Sequence, residues 1–247
     1  MTSVLELFGE YMTEILCEFD AAPFGVLALK SDHQIPEVKT SSVKIQLVKN
    51  CQSERDRVAQ FITEVYQQTF QADIKVEYPY LICLEDEEEG IQAAAGFRPA
   101  ADTTLFLEQY LSTPVQEQLL RDRSEIVEIG NLAGTGQGAA TFLFAVMAAY
   151  FDQQNFSVAV ATGSPFLERR FRQLGLQPHK LAPALPQNLK SSDENWGNYY
   201  RNRPYVMAGS ISHGCQRLKR LFGMEFVEFP QVTSSLISKV KAKYHVV

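Results

Sequence analysis

The sequence predicts an α/β (α+β) fold in which helices flank a mixed central sheet. Three observations support this class. Strand-like and helix-like segments alternate between about residues 43 and 211, two strands within 80–97 are close enough to form a hairpin, and a later strand runs into a glycine-rich turn followed by a helix. Hydrophobic residues make up 45% and charged residues 21% of the 247 residues, which excludes a disordered or coiled-coil protein.

Each element of the central region is predicted from its residue pattern. Alternating apolar residues indicate strands, apolar residues three and four apart indicate helices, and Gly or Pro clusters mark turns. The run 104–121 is too mixed to assign, and 183–198 is expected to be an irregular loop. The predicted elements are, in order, a strand at 43–48, a helix at 53–71, strands at 80–84, 91–97 and 126–132, a helix at 139–151, a strand at 156–162, a helix at 165–174, strands at 176–181 and 205–211, and a helix at 214–221.

The chain is expected to consist of one main domain with an extension at each end. We predict an N-terminal helical extension over 1–40, the main domain over 41–211 and a C-terminal extension over 212–247. Apolar residues recur at helical spacing between Val4 and Phe19, with acidic residues on the other face. This apolar stripe is expected to dock on the main domain or on a second subunit, which would make the protein a homodimer.

Charge and cysteine content limit the partners and the compartment. The net charge of −6 does not favour nucleic-acid binding, which needs a basic face. The first twenty residues carry no Lys or Arg and do not fit a secretory signal, so we expect a cytoplasmic protein. Residues 131–151 are uncharged, but their apolar part is too short to span a membrane, so no transmembrane segment is expected. No metal site is expected either, because the cysteines form no CxxC pair; they are Cys17, Cys51, Cys83 and Cys215.

The strand beginning at Ile126 leads into three glycines and then a helix. Unpaired amides at a helix N-terminus attract anions, and glycines let the backbone approach them closely, so this turn suits a phosphate or pyrophosphate. It is not a P-loop, because no Lys-Ser/Thr pair follows the last glycine, and Ala139 stands where a dinucleotide fingerprint needs Gly. Three glycines also serve any tight strand-to-helix turn. The residues predicted to bind a cofactor are Asn131, Leu132, Ala133, Gly134, Gly136 and Gly138.

The order of elements resembles the GNAT N-acetyltransferase fold. In that family the turn after the fourth strand holds the coenzyme A pyrophosphate with a Gln/Arg-x-x-Gly-x-Gly/Ala pattern, to which residues 131–136 are loosely similar. The turn carries no Lys or Arg, so the resemblance leaves an acyl chain on a carrier protein as an alternative donor to acyl-CoA. Many members also keep a Tyr on the helix corresponding to 165–174, where this chain has Phe166 and Phe171.

Three segments resemble one family more closely. Phe106 to Leu111, Ile126 to Ala133 and Asn202 to Tyr205 are similar to the bacterial thermostable hemolysin family over roughly residues 45–211. That family looks like a relative of the acyl-homoserine lactone synthases, which share the GNAT fold and use acyl donors. The resemblance therefore implies a GNAT-like acyltransferase domain in the main part of the chain.

Acyl transfer to an amine needs a base, hydrogen bonds to the carbonyl oxyanion and a held thioester. Glu128 lies in an apolar strand just before the turn, so its pKa should be raised and suit a base near neutrality; an Arg-paired structural carboxylate is the alternative. Glu108 is the only charge in its apolar run and could orient the acceptor, or it could be a surface residue. Tyr205 is a candidate proton donor, as are Tyr199 and Tyr200, although such aromatic residues also serve packing. Amides around residues 132 and 133 could bind the oxyanion.

The sequence therefore predicts an acyltransferase that moves an acyl group from acyl-CoA or an acyl-carrier protein to a small amine such as an amino acid. Two alternatives belong to other classes. One is a directly membrane-active haemolysin, although no spanning or cationic amphipathic element is visible. The other is a GNAT-fold binding module without activity, which the absent Tyr and the uncharged glycine turn would allow.

Overall fold

A computed structural model of the protein describes residues 11–30, 43–190 and 195–228. The strands are β1 Tyr11–Phe19, β2 Ala22–Lys30, β3 Val43–Val48, β4 Tyr80–Asp86, β5 Gly90–Pro99, β6 Ile126–Gly134, β7 Val158–Gly163, β8 His179–Pro183, β9 Tyr205–Ser210 and β10 Met224–Glu228. The helices are α1 Gln52–Phe70, α2 Val115–Leu119, α3 Gln137–Gln153, α4 Pro165–Gln173 and α5 Ile211–Phe222. Short 3-10 helices lie at Phe106–Tyr110, Arg123–Glu125, Pro186–Asn188 and Tyr199–Asn202.

All ten strands form one mixed sheet in the order β10-β2-β1-β3-β4-β5-β6-β7-β9-β8. The pairs β1/β3 and β6/β7 are parallel, and the other neighbours are antiparallel. The predicted α/β class is therefore confirmed. The hairpin of β4 and β5 and the strand–turn–helix of β6 and α3 also lie where the sequence predicts them.

Helices cover both faces of the sheet, because residues of the central strands are buried alternately on either side. On one face, Phe142 and Val146 of α3 pack with Ile82 and Leu84 of β4. On the other face, Val58 and Ile62 of α1 join the cluster that contains Leu81 and Cys83 of β4. Two apolar layers thus hold β4, β5 and β6 rigidly in the middle of the molecule.

The predicted N-terminal helix is wrong for Tyr11–Phe19, which is a strand. Ile15, Leu16 and Cys17 are consecutive and all buried, whereas an amphipathic helix would bury only one stripe. Asp20 and Ala21 adopt positive φ angles and turn the chain into β2, with which β1 pairs along its length. Backbone pairing inside a sheet has therefore overridden the helical spacing. Residues 1–10 of the predicted helix lie outside the described residues.

Strands from both predicted extensions belong to the central sheet. β1 pairs in parallel with β3 through Cys17↔Ile45 and its neighbours, and β10 pairs with β2. The helix predicted at 214–221 is found as α5, which packs on α3. The domain boundaries at 40/41 and 211/212 stay predictions.

Candidate active site

The central strand β6 contains a one-residue bulge. Ala94 of β5 faces Ala133, and Gly96 faces Gly130, so two residues of β6, Asn131 and Leu132, oppose one residue of β5. Asn131 has a φ of 50°, the left-handed conformation that the first residue of one type of bulge adopts. The extra residue shifts the alternation of side chains along β6 by one position. Each side chain after the bulge therefore points to the opposite face of the sheet from the one it would have in a regular strand.

The parallel strands β6 and β7 separate at this bulge. Their pairing runs from Ile126↔Val158 to Ile129↔Ala161 and goes no further. The gap between the two strand ends is a cleft of about 410 Å³. It is bordered by the bulge, the start of α3, and Phe166 and Arg170 of α4. The fold thus builds an open slot at the point where the glycine-rich turn was predicted to bind an anion.

Four of the six predicted cofactor-binding residues line this cleft, namely Asn131, Leu132, Gly134 and Gly136. Ala133 faces the opposite layer and packs in the cluster of α1. Gly138 lies in the first turn of α3, outside the lining. The turn is fixed to β5, because the amide of Thr135 donates a hydrogen bond to the carbonyl of Gln92 at 2.9 Å.

A cationic side chain reaches the cleft from across it. Arg170 on α4 lines the same space as the glycine turn. The turn itself carries no Lys or Arg, and sequence reasoning missed this arginine because it is more than thirty residues further along the chain. The two walls therefore combine a helix N-terminus and a guanidinium, which together suit an anionic group.

Glu128 lies on β6, three residues before Asn131 of the bulge, and is 1% exposed. Its two carboxylate oxygens accept hydrogen bonds from the amides of Phe106 (2.9 Å) and Leu107 (2.8 Å). Burial raises the pKa of the Glu128 carboxyl to about 7, although the two amides and Arg98 act to lower it. The prediction of a raised pKa is confirmed, and the cause is desolvation in the apolar sheet.

Arg98 is the charged partner of Glu128. The two residues face each other across β5 and β6, and Nε of Arg98 lies 3.6 Å from Oε2 of Glu128. The guanidinium also stacks on the ring of Tyr78, 4.6 Å from its centroid. Glu128 is therefore paired with an arginine, as the alternative interpretation expected, and it also has the pKa expected of a base.

A second, smaller pocket of about 60 Å³ adjoins the cleft on the side of α1. The two spaces share six lining residues, which are Tyr66, Ile129, Gly130, Asn131, Thr162 and Tyr199. Aromatic rings from four elements form the rest of the wall, together with Arg98 and other charged residues; the rings are Tyr78, Phe106, Tyr110, Trp196 and Tyr200. We call this space the acceptor pocket.

Tyr199 and Tyr200, two of the candidate proton donors, lie at this pocket. Tyr199 lines both the cleft and the acceptor pocket, and its hydroxyl donates to the carbonyl of Thr162 at 3.3 Å. The hydroxyls of Tyr200 and Tyr110 share a hydrogen bond of 2.6 Å. A hydroxyl is thus present where the two spaces meet, although α4 itself carries no tyrosine.

Glu128, Glu108 and Tyr205 are not among the residues that line the cleft or the acceptor pocket; Glu128 adjoins the pocket through its neighbour Ile129 and its partner Arg98, which do line it. Glu108 pairs with Arg123 at 2.9 Å and accepts from the amides of Leu105 and Val115. Burial alone would raise its pKa, but the bonds from Arg123 and the amides hold the pKa of Glu108 below its ordinary value. Arg123 is the partner that the sequence pattern did not reveal.

Tyr205 donates its hydroxyl hydrogen bond to Glu168 on α4. Lys180 contacts the Tyr205 ring and pairs with Glu168 at 3.1 Å. The bond from Tyr205 lowers the pKa of Glu168 to about 2. Burial, followed by that bond, raises the pKa of Tyr205 above its ordinary value. Tyr205 thus joins β9 to α4 in a polar cluster of its own.

A third cavity, of about 500 Å³ and mainly apolar, lies on the opposite face of the sheet beneath α3 and α5. It shares four wall residues with the cleft, which are Ile129, Phe144, Ala161 and Phe171. Met147, Met207 and Leu218 also line it. The cleft therefore adjoins a small polar and aromatic pocket through one set of wall residues and a larger apolar cavity through another.

Two kinds of feature are absent from residues 11–30, 43–190 and 195–228. None of their helices combines the length and the apolarity needed to cross a lipid bilayer. In the same residues, His, Cys, Asp and Glu side chains do not gather in groups of three or more that could hold a metal ion.

Comparison with known proteins identifies the fold and the family. The structure is similar to apo TofI (TM-score 0.54, 14% identity, 71% of this chain and 96% of that one). It is similar to BjaI, a CoA-dependent acyl-homoserine lactone synthase solved with SAM and isopentyl-CoA (0.51, 13%, 81% and 99%). It is also similar to FeeM, an N-acyl amino acid synthase from uncultured soil microbes (0.50, 15%, 71% and 93%).

These likenesses show that the fold is the GNAT-like acyltransferase fold, as predicted. A search of curated proteins finds no match. Residues 48–215, more than half of the chain, match the family model described as thermostable hemolysin. The protein therefore belongs to the thermostable hemolysin family.

Proposed function

We propose that the protein is an acyltransferase that moves an acyl group from a thioester donor to a small amine such as an amino acid. The observation that carries this proposal is the cleft between β6 and β7, which begins at Ile129, the residue after Glu128, and shares wall residues with a polar pocket and with an apolar cavity. A thioester needs this combination, because its thiol arm, its acyl chain and its attacking amine must meet at one carbon.

The cleft would hold the thiol arm of the donor. The glycine turn and Arg170 provide an anion site at the border of the cleft, which suits the phosphate groups of acyl-CoA or of an acyl-carrier protein. The acyl chain would pass Ile129 and Ala161 into the apolar cavity. A cavity of about 500 Å³ favours a chain well beyond acetyl, because burial of each methylene contributes about 0.8 kcal/mol.

Glu128 would act as the base. The acceptor enters as an ammonium, and its proton passes through one water to the Glu128 carboxylate, which is bonded to the amide of the wall residue Phe106. The free amine then attacks the thioester carbonyl, a C–N bond forms, and the oxyanion is stabilised by amides of the bulged segment. The C–S bond breaks and the thiolate takes a proton from Tyr199, which is at the junction of the two spaces. The resulting tyrosinate recovers a proton from the former amine nitrogen, which leaves the neutral amide product and the free thiol.

The decisive experiment is a thioester-cleavage assay with acyl-CoA, acyl-carrier and amino-acid pools. We expect the wild type to release thiol and form an N-acyl product, and Glu128→Gln to be slower by about 10²- to 10⁴-fold, the usual contribution of a general base. Glu64→Gln, a carboxylate on the outer side of α1 that bonds Gln60, serves as the matched control.

Other results would favour the alternative classes. Absence of turnover across all pools would indicate a binding module that lacks activity. Prompt leakage of dye from red cells, caused by pure protein without substrates, would indicate direct lysis. Equal rates for Glu128→Gln and wild type would be consistent with acyl transfer but would exclude Glu128 as the base.

A further inference from the structure

Four buried side-chain polar atoms without a hydrogen-bond partner occur in the part of the chain that the structure describes. They are Nε of Arg98, Oδ1 of Asn131, Oγ1 of Thr162 and Nε1 of Trp196. All four residues line the acceptor pocket. Buried polar atoms are normally paired, because leaving one unpaired costs about 1–3 kcal/mol. Their collection around one cavity points to a polar ligand.

The chemistry of the four atoms is of two kinds. Nε of Arg98 and Nε1 of Trp196 are hydrogen-bond donors. The first belongs to a cation and lies 3.6 Å from Oε2 of Glu128, beyond hydrogen-bond distance, so it can still donate to a ligand. Oδ1 of Asn131 is an acceptor, and Oγ1 of Thr162 can accept as well. A matching ligand must present an anionic acceptor to one pair and an N–H donor to the other. A simple amine satisfies only the second pair, whereas an amino acid satisfies both.

The two kinds of atom also lie at different places. Asn131 and Thr162 line the cleft as well as the acceptor pocket, whereas Arg98 and Trp196 line the pocket alone. An amino group held by the first pair would lie at the junction with the cleft, where the thioester carbonyl is expected. A carboxylate held by the second pair would lie in the pocket, away from the thioester.

The size of the pocket limits the acceptor further. Its volume is about 60 Å³, which holds roughly four to six water-sized groups. Aromatic rings close the wall, since Trp196 packs on Tyr199, Tyr200 and Phe106 with centroids 5.3–5.9 Å apart. A side chain as large as that of phenylalanine would have to displace these rings.

We infer that the acceptor is a compact α-amino acid of about the size of glycine or alanine, with its carboxylate bound by Trp196 and Arg98 and its amine by Asn131 and Thr162. This inference rests on the proposed function, because it names the amine that the transferase would use. Trp196 and Asn131 are then specificity-determining residues for the carboxylate and the amine.

The test compares acceptors at a fixed donor, octanoyl-CoA. We expect kcat/KM for glycine to exceed that for glycinamide and ethylamine by about ten- to hundredfold, because each of these lacks the carboxylate that pairs with charged or buried donors. Phenylalanine should be a poor acceptor. Trp196→Phe keeps the ring packing but removes the N–H, so it should lower the rate with glycine and leave the rate with ethylamine nearly unchanged.

A matched control removes a polar atom from an aromatic ring elsewhere. Tyr150→Phe on α3 lies outside the acceptor pocket and should preserve the preference for glycine. Ethylamine serving as well as glycine, or phenylalanine serving equally, would overturn the inference while acyl transfer itself stands.

A binding measurement separates the inference from the proposed function. Calorimetric titration of glycine and of ethylamine into Glu128→Gln, with no donor present, should detect glycine alone, and Trp196→Phe should weaken that binding by about tenfold. Acyl transfer to none of the amines would refute the proposed function, whereas failure of glycine to bind more tightly than ethylamine would refute the amino-acid site.

Discussion

Arg98 and Glu128 face each other on adjacent strands, with Nε of the arginine 3.6 Å from Oε2 of the glutamate. This contact is longer than a hydrogen bond, and the guanidinium is held instead by the ring of Tyr78 and the carbonyl of Glu77. Arg98 therefore moderates the charge of Glu128 without capturing its carboxylate. A buried carboxyl with a pKa of about 7 results, and this value can be tested in solution.

The pH dependence of acyl transfer should report Glu128. Because only the carboxylate form accepts a proton, we expect kcat/KM to rise as the pH passes about 7 and to fall below it. Measurement of kcat/KM between pH 5.5 and 8.5 with saturating donor checks this. Glu64→Gln should keep the wild-type profile, and a profile that stays level across this range would contradict the role of Glu128.

Replacement of Arg98 by methionine should move that profile to higher pH. The positive charge favours the ionised form of Glu128, so its removal raises the pKa of the carboxyl, by about one unit or more. The same pH series, run on Arg98→Met, measures the shift. Arg57→Met is the control, since Arg57 pairs with Glu85 and Glu54 instead; an unchanged or acidic midpoint for Arg98→Met would contradict the prediction.

Gly130→Ala should destabilise the protein. A Cβ at Gly130 would overlap the hydroxyl and ring of Tyr78, and Tyr78 is buried and cannot swing into solvent. We expect the free energy of unfolding to fall by about 1–3 kcal/mol, as for other overpacked positions. Urea denaturation measures this change, with Gly209→Ala as the control, because a Cβ there meets open space. Equal stability of the two variants would show that Tyr78 yields.

Ala148→Phe should shorten the preferred acyl chain. Ala148 on α3 lines the apolar cavity, and a phenyl ring would occupy part of its 500 Å³ without closing the cleft. We expect kcat/KM for long-chain donors to fall tenfold or more, since loss of two buried methylenes costs about 1.6 kcal/mol. Turnover of acetyl and butyryl donors in the same assay is the internal control, and an unchanged chain-length profile would place the acyl chain elsewhere.

Glu108→Gln should reduce stability and spare the pH profile of catalysis. Its ion pair with Arg123 and its bonds to two amides hold the pKa of Glu108 down, so this stabilisation is present above the ordinary carboxyl pKa and is lost as the pH falls through the lowered value. Urea denaturation at pH 7 should show a loss of about 1–3 kcal/mol that shrinks at acid pH. Glu117→Gln, exposed on α2, is the control; a variant as stable as wild type at pH 7 would contradict this assignment.

The local sequence pattern was sufficient to predict a helix or strand where the residues of that segment alone determine its structure. The alternation in β3 to β6 and the helical spacing of α1 and α3 specify those elements, and the glycines after Ile129 mark the turn. The helix predicted for the N-terminal segment is wrong, because its apolar residues fit both a helical face and a doubly buried strand. Only pairing with β2 and β3 decides between the two structures.

The site was predictable to the same extent. Glu128 and the glycine turn are close in sequence, so one strand reveals both. Arg98, Arg170 and Trp196 come from β5, α4 and the segment before β9, and only the tertiary fold brings them to the cleft and the acceptor pocket. Glu108 was predicted as a site residue because it is an isolated charge in its segment, and its partner, Arg123, follows fifteen residues later.

The pairing of β10 with β2 bears on how the protein can be shortened for study. A fragment restricted to the family-matched residues 48–215 would lack β1, β2 and β10, together with nearly all of β3. The remaining sheet would then end at β4, whose backbone groups would lose their pairing with β3, and such an edge is prone to edge-to-edge aggregation. Expression of a fragment that retains residues 11–228 keeps this edge of β4 paired.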